Sequence, residues 1–78
     1  LHESQRNISG DREAELRRRY PMLTGGRFFS IECIENFELI RELTSFGEDL
    51  IVLSPEEIKQ KVVDKINRMC NKYNLICN

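Results

Sequence analysis

Apolar residues recur along the C-terminal third of the chain at spacings of three and four. Ile58, Val62, Val63, Ile66, Met69, Cys70 and Tyr73 fall on one stripe of a 3.6-residue period. Ahead of them stands Ser54-Pro55-Glu56-Glu57. That order puts a hydroxyl at the N-cap, proline at the first helical position and glutamate at the third, a capping box. Both carboxylates then lie at the positive end of the helix dipole. Glu57 with Lys61, and Asp64 with Arg68, are spaced for i,i+4 ion pairs on the polar side. The pattern predicts a long docking helix whose stripe, including Val62, Ile66 and Met69, lies against protein.

Upstream signals are shorter. Leu50-Ile51-Val52-Leu53 suits a strand buried on both faces, with a buried helical turn as the alternative reading. Leu39, Ile40, Leu43 and Phe46 predict a helix of about three turns, capped by Asn36 and closed by Gly47 at C′. Phe28 to Ile34 reads as a strand entered from the Gly25-Gly26 turn, with Phe29, Ile31 and Cys33 on one face. Asp11 to Arg19 predicts a mostly solvated helix with Asp11 at its N-cap and Pro21 forcing its end, a loop over 11–24 being the alternative. Residues 1–10 show no clean period. The sum is a single α+β domain over 1–78: an irregular or helical segment over 1–27, then a β-α-β-α module over 28–78.

Size and composition narrow the function. With 78 residues, 12 Lys+Arg against 13 Asp+Glu and 40% hydrophobic content, the chain has the make-up of one small soluble globular domain. No run approaches the ~18 apolar residues of a membrane span. Cys33, Cys70 and Cys77 form neither an even set nor a C-x-x-C pair, so a reducing, cytoplasmic setting is expected rather than a disulfide or zinc framework. Cys33 and Cys70 read as small core hydrophobes, and Cys77 as the accessible one.

Catalytic constellations are missing from the sequence. His2, the one histidine, stands two residues from the start of the chain and reads as a surface or packing residue. There is no G-x-S-x-G, P-loop or dinucleotide fingerprint, so neither an enzyme nor a cofactor is expected. The one basic concentration is Arg17-Arg18-Arg19. These residues fan over roughly 200° of a helix, a geometry that favours a solvated face partly paired with Glu13 and Glu15. The sharper reading makes Arg17, Arg18, Arg19 and Arg27 phosphate contacts and Phe28 a stacking partner for bases, although paired phenylalanines in so small a domain more often belong to its core. Residues 1–30 balance at +2 and residues 31–78 at −3, well short of the basic domain, pI above about 9, of a nucleic-acid binder.

The run Asn36-Phe37-Glu38-Leu39 leading to Ser45-Phe46-Gly47-Glu48-Asp49-Leu50-Ile51-Val52-Leu53-Ser54-Pro55-Glu56-Glu57-Ile58 resembles the close of WYL-domain transcriptional regulators. Their C-terminal extension, the WCX domain, reads "el…ll.fG..v.vl.P..l" and continues into a long helix ending near a tyrosine, here Tyr73. Leu1-His2-Glu3-Ser4-Gln5 is similar to the "h.sQ" segment upstream of that motif. The likeness covers residues 1–5 and 28–73, while residues 11–26 are longer and more Arg-rich than the family's turn. The resemblance implies a partial ferredoxin-like unit in which residues 1–5 close a first helix. It implies a piece of a longer regulator whose helix-turn-helix and WYL sensor are not in this sequence. It also implies dimer contacts and assistance in binding a regulatory ligand, in some members a single-stranded nucleic acid. The expected function is a non-catalytic regulatory and oligomerisation module. The alternative is a nucleic-acid-binding module acting through the arginine segment.

Overall fold

The computed structural model describes residues 5–77 of the chain. His2 and most of the Leu1–Gln5 segment lie outside the described residues. Over the described residues the protein is α+β, with a two-stranded antiparallel sheet and three α-helices, an arrangement compatible with a partial ferredoxin-like unit. Two compact units divide the chain, residues 1–33 and residues 34–78.

In the first unit, β1 (Gln5–Asn7) pairs antiparallel with β2 (Phe29–Ile31) in the register Gln5 to Ile31, Arg6 to Ser30 and Asn7 to Phe29. Gln5 therefore opens a strand and does not close a helix. Sequence reading missed β1 because Gln-Arg-Asn carries no apolar alternation; its pairing comes from backbone groups, which side-chain pattern does not report. Phe29 and Ile31 are half-buried, but the strand stops there, and Cys33 is exposed rather than core.

Between the strands runs α1 (Gly10–Arg19), so residues 11–24 do contain a helix. Its N-cap is Ser9, whose Oγ accepts from the Arg12 amide at 3.1 Å. Asp11, expected at the cap, stands instead in the first turn with Glu13, facing the positive end of the dipole. Arg17, Arg18 and Arg19 occupy the last turn, where the dipole is negative. Leu16 is the buried residue of this helix. The Tyr20 amide donates to the Leu16 carbonyl at 2.8 Å, and Pro21 ends the run.

The second unit is helical. α2 (Phe37–Ser45) starts at the expected cap, Asn36, whose Oδ1 accepts from the Leu39 amide at 2.8 Å. It closes at Phe46, and Gly47 follows with φ +60, the left-handed conformation a C′ residue needs. A 3₁₀ turn over Gly47–Asp49 comes next. Leu50 to Leu53, expected as a strand, is irregular, with Ile51 56% exposed. Among the described residues β2 pairs with β1, and Leu50 to Leu53 take part in no ladder.

α3 (Glu56–Ile76) is the long helix the stripe predicts, but its start differs. Pro55 adopts the extended cap conformation, φ −70 and ψ 163, so the helix begins one residue later than the capping box requires. Proline has no side-chain acceptor, and no side-chain cap bond forms. The expected i,i+4 pairs are replaced as well. Lys61 pairs with Glu35 at 2.8 Å, and Asp64 accepts from the Gln60 amide group at 3.0 Å.

The core of this unit is small. Leu39, Leu43 and Ile58 are buried where α2 packs on α3. At 1.5 Å per residue, the nine residues of α2 span about 13 Å and the 21 of α3 about 31 Å, so one cannot cover the other. Val62 is half-buried, while Ile66 is 50% exposed, Met69 44%, Tyr73 61% and Ile76 76%. The expectation that the whole stripe lies against protein holds only over its first turns. Cys70 is exposed for the same reason.

Candidate functional site

Two surfaces gather side chains with chemistry to offer. The first lies in the unit formed by residues 1–33 and contains the arginines and Phe28 singled out in the sequence. Arg17 sits one turn after Glu13 and donates to its Oε1 at 3.0 Å. The same guanidinium reaches the Gly26 carbonyl at 3.4 Å and lies 4.8 Å from the Phe28 ring centroid. Gly25 and Gly26, with φ +72 and +69, turn the chain in a conformation only glycine adopts cheaply. That turn returns the strand segment toward α1 and brings Phe28 under Arg17.

Arg27 is held separately. It donates to Gln5 Oε1 at 2.8 Å and lies 5.1 Å from the Phe29 ring centroid. Arg19 stacks on its neighbour Tyr20 at 5.7 Å. Arg18 has no ion pair, hydrogen bond or ring contact among the described residues. Glu15, expected as a partner for this run, pairs with Arg12 at 3.4 Å. The structure thus unites Arg17 with Phe28; the 100° step per residue separates Arg18 and Arg19 from it, and Arg27, outside α1, is held by Gln5 and Phe29. Arg17 retains spare donors for an anion after its two acceptors and ring contact. The cluster holds no general acid–base pair.

The second surface lies in the unit formed by residues 34–78, away from the candidate residues of the sequence. Phe37 and Ile40 of α2 face a row along α3, enclosing an open groove of about 430 Å³ lined also by Lys61, Asp64, Lys65, Arg68, Met69 and Lys72. Phe37 is 74% exposed, and the Arg41 guanidinium lies 5.7 Å from its ring centroid. Lys61 is tied to Glu35, whereas Lys65, Arg68 and Lys72 have no carboxylate within ion-pair distance among the described residues. The signal was available in the sequence: positions 61, 65, 68 and 72 repeat at four, three and four, one helical face.

Among the described residues no group of His, Cys, Asp and Glu could hold a metal ion, and no helix is long and apolar enough to cross a membrane. No curated protein and no solved structure matches the chain. The WCX domain family matches residues 7–70. That match leaves out residues 1–5 but takes in residues 11–26, the Arg-rich stretch that departs from the expected turn, so α1 lies within the family's span. It covers well over half of the 78 residues: the chain belongs to the WCX domain family.

Proposed function

We propose that this chain is a non-catalytic regulatory and oligomerisation module of a WYL-domain transcriptional regulator, and that it assists effector sensing. The observation that carries the reading is the distal half of α3. Ile66, Met69, Tyr73 and Ile76 repeat at three, four and three, the spacing of a helix–helix seam, and all four stand exposed. Apolar side chains in one row are inexpensive to bury against a like row and costly to leave wet. A second copy supplies such a row by two-fold symmetry without any new surface. The membership of the WCX domain family supports a regulatory context.

Sedimentation velocity tests this reading. The chain is expected to pass from monomer to dimer within the micromolar range, as suits a seam of only about one and a half heptads. A monomer at every concentration up to the solubility limit contradicts it. The nucleic-acid alternative has less support, because Arg17 and Arg27 are already engaged by acceptors and rings within the unit. Titration with labelled single-stranded DNA at two salt concentrations separates the two: phosphate contacts weaken steeply with salt, and no binding at low salt removes the alternative.

A further inference from the structure

The groove between α2 and α3 shares Met69 with the apolar seam and differs from it in its charged lining. Its apolar lining is Phe37, Ile40 and Met69, and its charged lining includes a ladder of cations, Lys61, Lys65, Arg68 and Lys72. On a helical wheel these four fall within about 60° of one another, directly beside the apolar stripe. At 1.5 Å per residue the ladder runs about 16 Å, three helical turns. The surface concentrates charge against the trend of its surroundings. Residues 31–78 carry six Lys+Arg against nine acids, and four of those six cations line this groove with Asp64 as its one carboxylate.

From this we infer that the groove docks an acidic amphipathic helix of a partner protein, about three turns long. Its apolar face lies on Ile40, Met69 and Phe37, and carboxylates spaced at three and four residues meet Lys65, Arg68 and Lys72. An apolar lining beside a single cation ladder at helical spacing complements a second helix with the opposite charge, the helix-in-groove mode. Lys65, Arg68 and Lys72 give up no internal ion pair when it binds.

Two observations favour a peptide over a nucleic acid. Strand binding draws on rows of free aromatic faces, and here the single ring, Phe37, has the Arg41 guanidinium against it. A polyanion extending past the groove also meets a unit with excess negative charge, whereas a three-turn peptide ends where the ladder ends.

The test uses the full 78-residue chain and a fluorescein-labelled, 14-residue synthetic amphipathic helix with Glu at i, i+4, i+7 and i+11 and Leu on its adjoining face, read by anisotropy. A peptide of the same composition in scrambled order serves as control. Binding of the ordered peptide is expected to exceed the control at least tenfold and to fall at least tenfold in the triple variant K65E/R68E/K72E. Arg68 and Lys72 are exposed, whereas Lys65 is half-buried on the Ile58 side of α3, so the double variant R68E/K72E is measured alongside; its circular dichroism is expected to match the parent and its peptide binding to fall at least threefold. Equal binding of ordered and scrambled peptides overturns the inference, as does a triple variant that binds like the parent. A single-stranded oligonucleotide binding more tightly than the ordered peptide, and losing that affinity in the triple variant, overturns it in favour of a nucleic-acid site.

Discussion

Leu43→Ala is expected to remove about 2–3 kcal/mol from the unit formed by residues 34–78, and with it most of that unit's cooperative unfolding transition. Leu43, 6% exposed, shares a core with only Leu39 and Ile58. Removing its branched end costs the transfer of the lost methyl groups and leaves a cavity that two neighbours cannot fill. A core of this size supplies only about 3–5 kcal/mol in all, so one truncation consumes most of it. Leu75→Ala is the control: this side chain is 81% exposed, and its loss is expected to change stability by less than about 0.5 kcal/mol. Urea titrations followed by helical circular dichroism measure both. A Leu43→Ala midpoint equal to that of Leu75→Ala would falsify the assignment of the core.

The helical half of the molecule was readable because its signals are local. Asn36 as cap, Gly47 at C′ and the α3 stripe each depend on residues a turn apart, and the structure has all three. What failed depends on distant or backbone-level facts. The Leu50-Ile51-Val52-Leu53 run has a strand's composition, but a strand exists only where a ladder partner arrives, and the partner of β2 is the polar Gln5–Asn7. Ser54 lost the cap because Pro55 takes the extended conformation itself, a choice the capping-box pattern does not decide. Cys33 and Cys70 have hydrophobic neighbours in the sequence yet are exposed, since such neighbours do not bury a residue when nothing packs over them.

For the surfaces the balance is similar. Arg17 and Phe28 were both named from sequence, yet their stacking depends on the turn at Gly25 and Gly26, which a linear reading places only as a turn. The ladder at 61, 65, 68 and 72 was legible as a period, but the groove needs Phe37 and Ile40 from α2 as its opposite wall. Periodicity identifies a face; only the packing of α2 identifies what stands across from it.

The second large effect concerns the seam. Ile66→Glu with Tyr73→Glu is expected to weaken self-association at least ~100-fold, because each change removes the burial of a large apolar side chain, about 1.5–3 kcal/mol, and puts a charge in its place. Both side chains are half-exposed or more, so helix content and the urea midpoint of the monomer are expected to stay within about 0.5 kcal/mol of the parent. That separation of effects matters. A variant that loses association together with its fold reports on the core, whereas one that loses association alone reports on the surface. Sedimentation and circular dichroism on the same samples distinguish the two.

In the proposed assembly a second copy covers the distal turns of α3. Backbone amide hydrogen exchange, followed peptide by peptide from about 1 to about 200 µM protein, tests it most directly, since that range brackets the affinity of a small interface. Slowing of exchange with rising concentration over residues 65–76, with no matching change over α2, is the predicted result. Exchange over residues 65–76 that is the same at both ends of the range contradicts the account.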